Sequence, residues 1–273
     1  MKWILTGDCH GKVAERLEDI IANMKDFKPN KVGLIILGDV GLNYWGNKTD
    51  IKNKKMCEIY GIYLYCIRGN HEMRPTDVKG MVTIFDENVN GLIHYEEEYP
   101  HIRYFLDGGS YVINGYNVLT IGGAYSVDKF YRLNMAAATG RSFSGWFENE
   151  QLDKFEREKI LEYVKGNEYD FVFSHTCPYE WRPTDLFLPS VDQRTVDNTM
   201  EHWLSDIKEN IEYGVWCFGH YHANRIEKPY VEQYYQYWED LEVIAERWKK
   251  FKENGKLTGN DCYLSKSPFF YEH

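Results

Sequence analysis

Five short clusters of metal-ligating residue types carry the chemistry that this sequence could perform. Each cluster comes directly after an apolar run and offers Asp, His or Asn side chains. Carboxylate, imidazole and amide oxygen together suit divalent ions such as Mn, Fe, Zn, Co or Ni better than Ca or Mg. The clusters are Thr6-Gly7-Asp8-Cys9-His10, Gly38-Asp39-Val40, Ile67-Arg68-Gly69-Asn70-His71-Glu72, Ser174-His175 and Gly219-His220-Tyr221-His222.

The clusters offer more ligands than one ion can use. Two ions that share a carboxylate would need about this number, and ions roughly 3.5–4 Å apart stabilise both the attacking and the leaving oxygen of a phosphoryl displacement. A lone Asp or His at a strand end is usually an ordinary polar residue, but five clusters in sequence favour a metal site. The candidate ligands are Asp8, His10, Asp39, Asn70, His175, His220 and His222.

The apolar runs before the clusters are the elements that must position them. Residues 2–6, 31–37 and 62–67 read as strands separated by helices, which predicts parallel pairing with right-handed crossovers. Residues 169–174 and 214–219 read as two further strands. Because loops that follow parallel strands on one edge surround one crevice, we expect all five clusters to meet there.

The remaining segments have weaker patterns. Short apolar runs between residues 92 and 121 predict an antiparallel meander, with Asn114-Gly115 as a hairpin turn. Residues 122–146 show little periodicity, and so long a segment is more often functional than idle. Helical spacing marks residues 148–164, 197–211 and 240–251, whereas residues 178–192 read as a Pro-punctuated structural turn and 261–273 as a strand.

Length and composition indicate one large α/β domain. The chain has 273 residues, and its net charge of −10 disfavours an extended nucleic-acid surface, which needs clustered Lys and Arg. The six cysteines form no CxxC pair, which suggests reduced thiols. Without a signal-peptide pattern or an apolar stretch of ~20 residues, we expect a cytoplasmic protein with no membrane association.

The order of the clusters resembles that of the calcineurin-like metallophosphoesterases. Asp-x-His, Gly-Asp, Gly-Asn-His-Glu, a strand-end His and Gly-His-x-His span residues 8–222. The resemblance implies an α/β (α+β) fold, a two-layer β-sandwich flanked by helices, in one domain over residues 1–273. A substrate-capping insertion is expected at about 122–147 and a C-terminal helical extension at about 230–273.

The resemblance also implies two divalent transition-metal ions (Mn, Fe, Zn or Ni) and a role for each motif residue. Asp8, His10, Asp39 and His222 would hold one ion, Asp39 would bridge, and Asn70, His175 and His220 would complete the second site. A metal-bound hydroxide would attack phosphorus. His71 would act as the general acid or contact the phosphate.

The chain departs from the pattern of the serine/threonine protein phosphatases. Their Gly-Asp-x-x-Asp motif has Leu42 here at its second Asp position, followed by Asn43, so the carboxylate that orients the acid and the phosphate-binding Arg are both missing. Asn43, Glu72 or a residue from elsewhere would have to orient His71. We therefore expect a bacterial or phage-type member outside the protein phosphatase branch.

These observations predict a metal-dependent phosphomonoesterase or phosphodiesterase. Its partner would be a phosphorylated small molecule, a nucleotide or a phosphopeptide. A nuclease acting on nucleic-acid ends and a non-catalytic scaffold for protein binding are the alternatives. Residues 122–141 could form a cap or a solvated loop, and the candidate substrate contacts are Arg68, Tyr125, Lys129 and Arg132.

Overall fold

Two β-sheets packed face to face form the centre of the molecule. The computed structural model describes residues 1–228 and 230–255. The first sheet has seven strands and the second has six. In chain order the strands are β1 Lys2–Thr6, β2 Val32–Ile36, β3 Tyr63–Cys66, β4 Met81–Asp86, β5 Gly91–Glu96, β6 Ile102–Phe105, β7 Gly109–Ile113, β8 Tyr116–Ile121, β9 Glu168–Ser174, β10 Glu212–Phe218, β11 Arg225–Lys228, β12 Val231–Gln233 and β13 Trp238–Asp240.

The strands that carry the clusters are parallel, as predicted, but they belong to two sheets. The first sheet has the order β13-β1-β2-β3-β6-β5-β4, in which β1, β2 and β3 are parallel neighbours. The second sheet has the order β11-β12-β10-β9-β8-β7, in which β8, β9, β10 and β12 are parallel. The expectation of one crevice along one sheet is therefore replaced by a crevice at one end of a sandwich.

Side chains on alternate positions of the central strands enter separate cores. Trp3 and Leu5 point between the sheets and pack with Phe171 and Phe173, whereas Ile4 packs outward against the helices on the first sheet. A third core lies outside the second sheet, and Trp216 is one of its buried members. Because both faces of these strands are covered, their sequences are continuously apolar rather than alternating.

Helices cover both outer faces of the sandwich. In α1 the apolar residues Val13, Leu17 and Ile20 recur at helical spacing and are buried against the first sheet. A capping box formed by Asp153 and Glu156 begins α4 on the second sheet. The helices are α1 Val13–Asn23, α2 Lys48–Glu58, α3 Lys129–Thr139, α4 Lys154–Val164, α5 Thr199–Asn210 and α6 Leu241–Asn254.

The prediction of a single meander between residues 92 and 121 is wrong. β5 and β6 are antiparallel in the first sheet, but β6 is also parallel to β3. β7 and β8 then form a hairpin in the second sheet. The chain crosses between the sheets around Gly108, whose φ of +74° favours glycine. The crossing does not change the hydrophobic pattern of the sequence, so the pattern could not predict it. Strand β4 and helix α3 lie in segments for which no element was predicted.

Residues 230–255 belong to the sandwich and also provide its last helix. β12 pairs with β10 and β13 pairs with β1, so this segment adds a strand to each sheet. Leu241 and Ile244 of α6 enter the core between the sheets. The strand predicted within residues 261–273 lies outside the described residues. None of the described helices has the length and apolar content to cross a bilayer.

Candidate metal centre

The ends of five strands from the two sheets meet at one end of the sandwich. Asp8, Asp39 and Asn70 follow β1, β2 and β3 of the first sheet. His175 and His220 follow β9 and β10 of the second sheet. The two sheets therefore face the site from opposite sides, and the structure brings together the five clusters that the sequence singled out.

One group of possible ligands centres on the carboxylate of Asp8. Ligand atoms of Asp8, His10 and His222 all lie within 4.8 Å of one another. His222 Nε2 is 3.3 Å and His10 Nε2 3.9 Å from Asp8 Oδ2. The two Nε2 atoms are 2.8 Å apart. Two nitrogens and one carboxylate oxygen are thus arranged so that one cation could contact all three.

A second group shares Asp8 and lies deeper. Ligand atoms of Asp8, Asp39 and His175 also lie within 4.8 Å of one another. His175 Nε2 is 3.7 Å from Asp39 Oδ1, and Asp39 Oδ2 is 3.9 Å from His10 Nδ1. Both carboxylates therefore reach both groups. His220 adjoins this group, with its ring centroid 5.0 Å from that of His175 and its backbone N–H directed at Asp8.

The hydrogen bonds of His175 and Asn70 direct two lone pairs at each other. His175 Nδ1 is 2.8 Å from the carbonyl oxygen of Leu37, which can only accept, so Nδ1 carries the proton. Asn70 donates its amide nitrogen to Ser126 Oγ at 2.8 Å, which leaves Oδ1 facing His175 Nε2 at 2.8 Å. Two acceptors this close need a cation or an additional proton between them.

The charge of the site also fits a divalent cation. Asp8 and Asp39 are each 1% exposed, and among the described residues the basic side chains within 4.0 Å of their carboxylates are histidines, with no Lys or Arg. Burial raises the pKa of Asp39, but the neighbouring His175, His71 and His10 outweigh burial and lower it below its usual range. Burial lowers the pKa of His220 well below its usual value, so its ring is neutral and has a nitrogen lone pair that could bind a metal. A buried carboxylate that is ionised requires compensation, which a bound divalent cation would supply.

The backbone at the site is held in a conformation that L-residues seldom adopt. His10, Asp39, His220 and His222 have φ values of 47°, 46°, 67° and 52°. Such left-handed residues cost on the order of 1–3 kcal/mol each and cluster at functional sites. In this chain they turn four of the seven candidate ligands inward from the strand ends.

Three motif glycines leave room for the ligand side chains. A Cβ on Gly38 would lie 2.0 Å from His175 Nδ1, one on Gly69 would lie 1.9 Å from Asp39 Oδ1, and one on Gly219 would lie 2.3 Å from Asp8 Oδ1. All three distances are far inside van der Waals contact. Each glycine precedes one ligand in sequence and contacts another in space, which explains its place in the motif.

Two residues that the sequence reading did not assign orient the amide of Asn70. Ser126 Oγ accepts from Asn70 and donates to Glu150 Oε2, while Ser126 N donates to Glu150 Oε1 at 3.0 Å. Ser126 lies in the segment that the sequence marked as functional, but no pattern identifies Glu150. Only the fold brings residue 150 to within reach of residue 70.

His71 lies beside the ligands. Its backbone N–H donates to Asp39 Oδ1 at 2.8 Å, and its ring centroid is 5.9 Å from that of His10. Burial lowers the pKa of His71, although Asp39 raises it.

The two residues considered for orienting His71 have other partners. Asn43 donates to Tyr104 OH at 2.9 Å and Glu72 accepts from Gly69 N at 2.7 Å. Burial raises the pKa of Glu72 to about 8.

A cleft of about 970 Å³ opens from the candidate ligands. Two of the four candidate substrate contacts line it, and two do not. Tyr125 and Arg132 line it. Arg68 is buried elsewhere, where it donates to Asp107 and to the carbonyl oxygen of Glu150, and Lys129 places its ammonium 4.1 Å from the ring centroid of Trp146. Part of the predicted structural turn at residues 178–192 also lines the cleft, together with residues that follow it up to Asn198.

Comparison with known proteins agrees with this geometry. The sequence profile described as calcineurin-like phosphoesterase matches residues 1–224, which include every candidate ligand. A search of curated proteins finds no matching relative. The matched region contains all the strands that deliver ligands to the site. We conclude that the chain belongs to the calcineurin-like phosphoesterase family, whose members are metal-dependent hydrolases of phosphoric ester bonds.

Proposed function

We propose that this protein hydrolyses phosphate esters of small molecules at a dinuclear centre of divalent transition-metal ions. The observation that carries the proposal is that His175 Nε2 and Asn70 Oδ1 lie 2.8 Å apart with their lone pairs directed at each other. The other hydrogen bonds of both side chains determine these orientations. The buried carboxylates Asp8 and Asp39 beside them add the negative charge that two cations require. His, Asp and Asn donors together favour Mn, Fe, Zn or Ni.

Each ligand has a place in this proposal. Asp8, His10 and His222 would hold one ion, and Asn70, His175 and His220 would hold the other. Asp39 could serve both, because its two oxygens lie 3.9 Å from His10 Nδ1 and 3.7 Å from His175 Nε2. When bound, such ions supply a water of lowered pKa and neutralise the phosphate oxygens.

His71 is the proposed general acid. Its backbone is fixed by Asp39, and its side chain lines the cleft next to His10 and Asn70. A proton given to the leaving oxygen prevents a high-energy alkoxide from forming. Tyr125 and Arg132 line the same cleft and are the substrate contacts that we retain. We propose no substrate contact for Arg68 or Lys129, which lie away from the cleft lining.

The proposed substrate is a small molecule rather than a long nucleic acid. The net charge of −10 opposes association with a polyanion. Residues from the 122–147 insertion and from the segment around 182–198 bound the cleft. The two alternative functions are a nuclease acting on nucleic-acid ends and a non-catalytic scaffold. The following experiment distinguishes them from the proposed function.

The test compares leaving groups in the wild-type protein and in His71→Ala, both loaded with Mn²⁺. We expect two ions per chain in both proteins by elemental analysis. The variant should lose roughly 10²–10⁴-fold in kcat on an alkyl phosphate and far less on p-nitrophenyl phosphate, whose leaving group scarcely needs a proton. His94→Ala is the control, because His94 lies on β5 and bonds to Thr83.

Three results would contradict parts of the proposal. Absence of hydrolysis of p-nitrophenyl phosphate, bis-p-nitrophenyl phosphate and nucleotides by the wild-type protein would favour the scaffold. Cleavage of nucleic-acid ends in preference to all these esters would favour the nuclease. Full activity of His71→Ala on alkyl phosphates would mean that another group is the acid.

A further inference from the structure

The cleft extends well beyond the space that a phosphate group needs. Its volume of about 970 Å³ is at the upper end of the range for small-molecule sites, and a phosphate group would occupy only the part next to the ligands. One side of the remaining space is formed by five apolar residues. This apolar wall consists of Leu186, Phe187, Leu188, Val191 and Val196.

Large hydrophobic side chains of the apolar wall are exposed rather than buried in the protein core. Leu188 is 59% exposed and Leu186 is 36% exposed, although both belong to a segment that also contributes to the cleft lining. Exposed apolar surface of this kind, when contiguous and bordering a cleft, marks a binding site rather than scattered surface residues. The wall is therefore available to a ligand in the cleft.

Contacts on both sides of the wall hold it in place. Asp185 accepts two hydrogen bonds from the guanidinium of Arg225 at 3.0 and 2.7 Å, which ties the segment to β11. Arg182 Nη1 donates to Asn198 Oδ1 at 2.5 Å, joining the beginning of the segment to its end. These contacts attach the two ends of the segment to β11 and to the beginning of α5.

An aromatic contact connects the wall to the metal centre. Tyr221 lies between the candidate ligands His220 and His222 in sequence, and its ring is stacked with that of Phe187 at a centroid distance of 6.3 Å and an angle of 23°. If the phosphate group of an ester lies at the candidate ligands, the organic group of that ester would reach Tyr221 and Phe187. The wall is thus placed to contact the rest of the ester.

The arginine on the segment that carries the wall is not free to bind a second phosphate. Arg182 lies over the ring of Tyr179 at 3.6 Å and is bonded to Asn198. Arg132, across the cleft, is paired with Asp128 and donates to Tyr44 OH. Lys12 also lines the cleft, but it lies two residues after the candidate ligand His10 and outside the wall segment. Glu201 lines the same cleft, and burial raises its pKa. The wall segment therefore suits an uncharged, apolar group.

We propose that the apolar wall binds the organic group of the substrate, and that the substrates are phosphate esters of hydrophobic alcohols or phenols. The inference rests on the proposed function for the position of the phosphate group. It adds the class of substrate, which neither the motifs nor the family determines. Polyphosphates, sugar phosphates and nucleic acids would leave the wall in contact with polar groups or with water.

The test measures binding rather than turnover. Methyl-, butyl- and hexylphosphonate have a C–P bond in place of the ester, so calorimetry with the Mn²⁺-loaded protein reports affinity alone. Each buried methylene contributes about 0.8 kcal/mol, so we expect Kd to fall about fourfold per methylene up to the limit of the wall. In Leu188→Asn this dependence on chain length should become much weaker, while Kd for methylphosphonate stays unchanged.

Leu92→Asn is the matched control, because Leu92 is 50% exposed on β5 and does not line the cleft. It should keep the wild-type dependence on chain length. Equal Kd values for methyl- and hexylphosphonate in the wild-type protein, or tighter binding of 2,3-dihydroxypropylphosphonate than of hexylphosphonate, would overturn the inference. So would an unaltered chain-length dependence in both Leu188→Asn and Phe187→Ala.

A parallel hydrolysis assay separates this inference from the function on which it rests. Chain-length-dependent binding without hydrolysis of any ester would support the wall and contradict the catalytic proposal. Hydrolysis without chain-length dependence would support catalysis and contradict the wall.

Discussion

The amide of Asn70 shows how single residues determine the properties of the site. An amide can present either its oxygen or its nitrogen, and only the oxygen can bind a cation. Ser126 accepts from the nitrogen and is itself held by Glu150, so the oxygen faces His175. Residues that orient a ligand in this way contribute to metal affinity without touching the metal.

The first prediction concerns this support. Ser126→Ala removes the acceptor for the Asn70 nitrogen and should weaken Mn²⁺ binding by about 10–100-fold, the effect usual for groups that orient a ligand. Calorimetric titration of the metal-free protein measures it. Ser110→Ala is the control, since Ser110 lies on β7 and bonds to Tyr169. An unchanged Kd in Ser126→Ala would show that the Asn70 amide needs no such support.

The second prediction separates backbone strain from steric conflict at a glycine. Gly38 and Gly80 have φ values of +100° and +90°, so alanine at either position costs about 1–2 kcal/mol of backbone strain. Only at Gly38 would the new Cβ collide with His175; at Gly80 it meets nothing within 4 Å. Gly38→Ala should therefore lose bound metal, whereas Gly80→Ala should lose stability alone. Elemental analysis and urea unfolding distinguish the two, and equal metal contents would contradict the steric argument.

At the scale of elements, α3 in the 122–147 insertion differs from the other helices. None of its residues is buried, and Phe130, Tyr131 and Met135 are exposed. Its first turns are attached through Arg132, which bonds to Asp128, to Tyr44 OH and to the carbonyl oxygen of Gly145. A helix without buried side chains derives little stability from packing, so these contacts decide its position at the cleft.

The third prediction follows from that attachment. Arg132→Ala should raise KM or lower kcat on phosphate esters by about tenfold, equivalent to about 1.4 kcal/mol, with the metal content intact. Lys129→Ala should leave both constants unchanged, because Lys129 lies over Trp146 and not in the cleft lining. Steady-state kinetics on one ester suffices. Unchanged kinetics in both variants would mean that the insertion is a surface element without a role in turnover.

At the scale of the whole molecule, a buried ion-pair network joins the two sheets. Arg247 of α6 donates to Glu232 of β12 at 2.6 Å and to Glu239 of β13 at 3.0 Å. β12 belongs to the second sheet and β13 to the first. The strand ends that form the site lie on these same two sheets, so their relative position depends on what holds the sandwich together.

The fourth prediction tests that network. Arg247→Ala leaves the fully buried Glu232 without a cationic partner and with Tyr234 OH as its remaining side-chain hydrogen bond, and removing one member of a buried pair typically costs about 3–5 kcal/mol in the free energy of unfolding. Urea unfolding measures the loss. Arg194→Ala is the control, because the Arg194–Asp192 pair is exposed, and it should unfold at the wild-type midpoint. Equal midpoints for both variants would show that the network does not stabilise the sandwich.

Local sequence patterns were sufficient to predict the strands that carry the candidate ligands and to single out those candidates. Residues 3–5, 32–37 and 62–67 are apolar without alternation because both faces of these strands are covered, and this pattern is local. The glycines that precede Asp39, Asn70 and His220 are likewise visible in the motifs. The convergence of the clusters could be predicted from such local signals, whereas the α/β sandwich followed from the family resemblance that the motifs carry.

The contacts that support the candidate ligands and that line the cleft depend on the tertiary structure. The division of the strands between two sheets, the contact from Asn70 through Ser126 to Glu150, and the approach of Phe187 to Tyr221 all join residues that are far apart in sequence. Hydrophobic periodicity reports which face of an element is buried, but not which element buries it. For that reason the chemistry could be predicted from residue types, whereas the contacts that orient Asn70 and the apolar residues of the cleft became visible only in the fold.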